Sequence, residues 1–109
     1  MQSYKLPKEL KKRMERELRQ YYDNKKKLER LKASYEQGTR RFVYIEERLH
    51  YVENVYNSLK PFEKEVYDLI FKENCDSLYC ETIKNINRAT YYNIFNKSLY
   101  KLAMEWGEI

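Results

Sequence analysis

Apolar side chains recur at spacings of three and four residues along most of this chain, the repeat of helices that turn one face toward a core. In residues 7–36 the stripe is Leu10, Met14, Leu18, Tyr21, Leu28, Leu31 and Tyr35, interrupted by Asn24 and Lys25. Pro7 suits a first helical turn, where no backbone N–H is missed, and Gly38 suits the residue just past a helix end. In residues 39–59 the positions Phe42, Ile45, Leu49, Val52, Tyr56 and Leu59 follow one another by three, four, three, four and three, an unbroken heptad seam. The short connection containing Gly38 makes the two helices antiparallel neighbours. A seam this regular suits a second copy of the chain equally well, so Phe42, Ile45, Leu49, Val52 and Tyr56 are the candidates for self-association in a homodimer.

Three shorter helices are predicted to follow. Residues 61–72 should bury Phe62, Val66, Leu69 and Ile70, and residues 77–84, with Ser77 as N-cap, should bury Leu78, Cys80 and Ile83. Residues 87–106 start on Asn87, a good N-cap, and stop at Gly107. On that last helix Tyr91, Ile94, Leu99 and Leu102, with the small Ser98 at a helix crossing, share one face and belong to the core. Two Gly and two Pro in 109 residues leave little material for the turns of a sheet. The expected fold is all-α: a long N-terminal helical hairpin or coiled coil over residues 1–60, then a three-helix unit with a helix-turn-helix over residues 61–109. The length allows one cooperative unit and not two independent cores.

Composition narrows the function classes. Charged residues make up 36% and mean hydropathy is −0.97, yet 42% of residues are hydrophobic and twelve are Tyr, enough to fold. The longest apolar runs, such as Leu69-Ile70-Phe71, fall far short of the roughly twenty residues that span a bilayer, so no membrane partner is expected. The first residues lack the apolar stretch of a signal peptide, which places the chain in the cytoplasm. Cys75, Cys80 and the single His50 do not make up a four-ligand zinc set, and no metal or other cofactor is expected. Cys80 reads as a core residue and Cys75 as a loop residue. With no Gly-rich phosphate loop and only His50 to serve as a base, the chain is not expected to be an enzyme.

Charge is uneven. Residues 1–36 hold twelve Lys and Arg against six Asp and Glu, including the clusters Lys11-Lys12-Arg13 and Lys25-Lys26-Lys27, whereas residues 61–109 are net acidic. Within that acidic half, Lys84, Arg88, Lys97 and Lys101 oppose Glu81 alone over residues 77–104. The side of the last helix opposite its core face carries Arg88, Ala89, Thr90, Tyr92, Asn93, Asn96 and Lys97. These supply what a major groove requires: Arg for guanine, Asn for adenine, Ala or Thr for a thymine methyl, and Lys for phosphate. Together with Asn87 at the helix start and Lys84 before it, they form the candidate interface with double-stranded DNA.

The stretch Ile86-Asn87-Arg88-Ala89-Thr90-Tyr91-Tyr92-Asn93-Ile94, continued by Ser98-Leu99-Tyr100-Lys101-Leu102-Ala103, resembles the recognition helix of sigma-factor region 4-like domains. The C-terminal half is similar to the phage late transcription activators of the RinA and ArpU kind, and Leu6-Pro7-Lys8 with Glu17-Leu18-Arg19-Gln20-Tyr21 is similar to their N-terminal segment. That resemblance implies an activator of phage or prophage late genes that binds promoter DNA and assists RNA polymerase. The turn here lacks the Gly common in helix-turn-helix units, and the helix before it is short. Two other classes share the same features: a DNA-packaging protein of the small-terminase type, which would form a ring, and a helical protein-interaction module, which would not bind DNA.

Overall fold

The computed structural model describes residues 4–33 and 40–109. The chain is all-helical, and the described residues contain no strand. The helices are α1 (Lys8–Arg19), α2 (Tyr21–Ala33), α3 (Arg40–Asn57), α4 (Pro61–Tyr67), α5 (Ser77–Ile83) and α6 (Arg88–Glu105). The single first helix expected over residues 7–36 is thus two. Gln20 separates them by a kink and not a gap, because its N–H still donates to the Arg16 carbonyl and its carbonyl still accepts from Asn24 N–H, both at 2.9 Å. The expected break at Gln37-Gly38-Thr39, and Tyr35 on the stripe, lie outside the described residues.

The kink divides two cores. Met14 and Leu18 of α1 enter the main one with Val52, Val55 and Leu59 of the α3 end, Val66, Ile70 and Phe71, Cys80 of α5, and Tyr91, Ile94, Phe95, Leu99 and Leu102 of α6. Leu31 of α2 packs in a smaller cluster with Phe42, Ile45 and Leu49, flanked by half-buried Tyr21 and Leu28. The heptad seam of α3 is therefore covered from within: its first half lies on α2, and its second half completes the main core. Phe42, Ile45, Leu49 and Val52 are at most 9% exposed. They face the chain's own core, and Val55 shares the inward face with half-buried Tyr56. The main core crosses residue 60, so residues 1–60 and 61–109 fold around common side chains. The molecule is elongated, 46 × 30 × 24 Å along its principal axes. Its radius of gyration of 15.1 Å exceeds the roughly 13 Å of a compact domain of this size.

Helix α4 continues as a π-helical turn over residues 68–72. One extra residue in that turn rotates the following side chains, and Phe71 joins Ile70 inside while Leu69 is only half-buried. Phe71 then stacks on Phe95, centroids 5.6 Å apart and planes at 15°. A π turn also loosens its carbonyls from the helical ladder. Arg19 of α1 donates to one of them, Ile70 O, and to Asn74 Oδ1, each at 2.9 Å. Three residues expected inside lie outside: Phe62, Leu78 and Ile83 are 55–59% exposed. Helices of seven residues have about two turns to dock, and here Val66 and Cys80 take the inward positions. One buried ion pair ties α1 to α3: Glu17, 6% exposed, receives both arms of the Arg48 guanidinium, the Nε contact at 2.9 Å.

Candidate nucleic-acid interface

Two connections of the same build aim α6. Each is an Asn, a half-buried residue and an Asx: Asn74-Cys75-Asp76 before α5, and Asn85-Ile86-Asn87 before α6. Asn74 and Asn85 both take φ of 55°. Asn tolerates this left-handed region because its short polar side chain can hydrogen-bond locally, which explains how the turn manages without Gly. The next residue folds its N–H back onto the finished helix, Cys75 to Leu69 O at 2.9 Å and Ile86 to Cys80 O at 3.0 Å. The Asx then caps the next helix, Asp76 accepting from Tyr79 N–H and Asn87 from Thr90 N–H, each at 2.8 Å. Asp76 thus takes the N-cap role expected of Ser77, while Asn87 caps α6 as its position in the sequence predicts.

The expected inward face of α6 is buried at Tyr91, Ile94, Ser98, Leu99 and Leu102, and Phe95 and Ala103 add to it. Tyr91 fixes the helix further by donating its hydroxyl to Cys75 O at 3.0 Å. Burial pushes that phenol above its ordinary range, although Arg19 nearby works against the shift. Burial likewise pushes the Cys80 thiol up, with Cys75 adding to it, so Cys80 is a packing residue and a poor nucleophile.

The residues expected to read DNA divide into three groups. Arg88, Ala89, Tyr92 and Asn93 are exposed together on the first two turns of α6. Arg88 lies 3.8 Å from Glu81 of α5, with both side chains exposed. An open pair of this kind contributes about 0–1 kcal/mol and is easily exchanged. Tyr92 is braced, its hydroxyl 3.3 Å from Ser77 Oγ and its ring edge-on to Tyr91 and Phe95, while 48% of its surface stays exposed. Thr90 and Asn96 are half-buried at the margins, and Thr90 lines a shallow cleft with Lys84, Asn87 and Phe62. Asn87 is exposed, but its side-chain oxygen already serves the cap.

Lys97 differs from the expectation. Its ammonium lies 2.7 Å from Glu63 Oε2, with only 20% of the side chain exposed. Glu63 Oε1 accepts the Lys60 N–H at 2.9 Å, so one carboxylate both caps the start of α4 and binds α6. Burial pushes the Glu63 carboxyl up, but the Lys60 N–H and the Lys97 ammonium outweigh it and hold it below its ordinary value. Glu63 lies 34 residues from Lys97, and no local spacing in the sequence signals the pair.

Fold and site together define an all-α protein whose longest C-terminal helix presents a polar face beside the shorter helix that precedes it. Comparison with family models, with curated proteins and with solved structures gives no match. Among the described residues no group of three or more His, Cys, Asp or Glu side chains is placed to hold a metal ion, and no helix is long and apolar enough to cross a membrane.

Proposed function

We propose that this protein is a sequence-specific DNA-binding transcription regulator in which α5 and α6 act as a helix-turn-helix and α6 enters the major groove. The observation that carries the reading is the exposed quartet Arg88, Ala89, Tyr92 and Asn93 at the start of a helix anchored by its cap, its core face and the Tyr91 hydroxyl. A recognition helix contacts base edges with its N-terminal residues, and those residues must be rigidly held. Arg88 would bind guanine once released from Glu81, Asn93 adenine, and Ala89 or Thr90 a thymine methyl. Tyr92 would meet sugar or a base edge. The resemblance to the RinA and ArpU activators extends the proposal to late-gene activation with RNA polymerase as partner. The apolar side chains that α4 and α5 leave exposed, Phe62, Leu78 and Ile83, suit contact with that protein.

The test is fluorescence anisotropy with labelled duplexes from the DNA flanking the coding region, against scrambled duplexes, at two salt concentrations. A regulator binds the native duplex preferentially and more weakly as salt rises. Asn93→Ala should abolish preference at one base position, a loss of about 1–3 kcal/mol, while the variant keeps the helical content of the wild type. No binding to either duplex at low salt would reject the reading in favour of a protein-interaction module.

A further inference from the structure

If α6 reads DNA, it needs phosphate contacts on its flanks, and Lys97 is committed to Glu63. Helix α1 supplies another cation on the other flank. It packs across α6: the Lys11 ammonium lies 5.8 Å from the Phe95 ring centre, Arg19 reaches Asn74 beside the Cys75 carbonyl that holds Tyr91, and ahead of the helix the Tyr4 ring lies 5.6 Å from Tyr100. Phe95 and Lys97 are two positions apart and so point to nearly opposite sides of the helix. Lys97 closes the α4 side, and Phe95 lies on the side of Tyr92, whose ring it meets at 6.4 Å. The Lys11 ammonium thus lies over the same ring that Tyr92, one of the exposed quartet, meets edge-on.

Its charge is available. Lys8, Lys11 and Lys12 are all exposed, and none has a carboxylate partner among the described residues. Lys8 and Lys11, three positions apart, share one edge of α1, whereas Arg13 points away to Glu108 and the Trp106 ring. The Phe95 face orients the Lys11 ammonium by a cation–π contact without neutralising it. The second basic cluster, Lys25-Lys26-Lys27, is on α2, which packs against α3.

We propose that Lys11, supported by Lys8, binds DNA phosphates on the Tyr92 side of α6, in the role that the sequence assigned to Lys97. This inference rests on the DNA-binding reading of α6. Phosphate contacts do not depend on base sequence, so a mixed-sequence duplex is a sufficient probe. Anisotropy across a salt series compares the wild type with Lys11→Gln, Lys8→Gln/Lys11→Gln, Lys26→Gln and Arg88→Ala. Gln removes the charge while keeping a polar side chain with part of the aliphatic stem, and circular dichroism melts check that each variant is folded.

The expected result is a salt slope shallower by about 1 for Lys11→Gln and by about 2 for the double variant, with Lys26→Gln unchanged. A wild-type slope in Lys11→Gln, with Arg88→Ala still weakening binding, would overturn the inference and leave the DNA-binding reading standing. Equal flattening by Lys26→Gln would overturn it too, since diffuse charge would then suffice. No salt-dependent binding by the wild type would reject both.

Discussion

Lys97 shows how far one residue's chemistry depends on what faces it. From sequence it is a cation on the polar side of a helix; in the fold it is a clip between α6 and α4. Lys97→Ala is therefore expected to lower stability in urea unfolding and to leave the salt slope of DNA binding unchanged. The clip has a pH signature. Because Glu63 titrates below its ordinary value in the folded chain, its contribution is fully present above the ordinary carboxylate range and is lost as pH falls through the lowered value. The stability difference between wild type and Lys97→Ala should thus be largest near neutral pH and vanish in strong acid. A difference that persists in acid would mean that Lys97 acts through its aliphatic stem and not its charge.

At the scale of elements, α3 is the helix whose periodicity is clearest and whose partner is least legible. The spacing from Phe42 to Leu59 fixes an apolar face but says nothing of what covers it. The covering surfaces, α2 for one half and the main core for the other, depend on the Gln20 kink, and no Pro or Gly marks that position. The ion pair between Glu17 and Arg48 crosses the same junction, 31 residues apart in sequence. Arg48→Ala would leave a buried carboxylate unpaired, and a loss of about 3–5 kcal/mol is expected, read as a lower urea midpoint. A loss of a few tenths would show that water reaches Glu17. The seven-residue α5 illustrates the opposite limit. Its N-cap falls one residue before the expected Ser77, on Asp76, and the pattern that points Leu78 and Ile83 inward spans only two turns, too little to choose between faces.

For the molecule as a whole, the shared core makes a prediction about fragments. Residues 61–109 lack Met14, Leu18, Val52, Val55 and Leu59, which cover α6 and the π turn in the intact chain. That fragment is expected to be largely unfolded by circular dichroism, with no cooperative thermal transition, whereas the full chain should melt in a single step. A fragment that folds alone would mean that α4, α5 and α6 carry a sufficient core without α1 and α3.

What the sequence determined by itself is whatever a few neighbouring residues settle: the helical period, the Asn87 cap, the stop at Gly107, and the polar and apolar sides of α6. These follow from interactions within about four residues, and the Asn-x-Asx connections belong with them, since each supplies its own left-handed residue and its own cap. Tertiary structure alone decided which apolar side chains were covered, why Phe71 is inside and Phe62 outside, and that Lys97 meets Glu63 while the Lys11 ammonium lies over the Phe95 ring. Those outcomes depend on groups brought together from distant parts of the chain, and a helix's pattern specifies that it has a face without specifying what that face will meet.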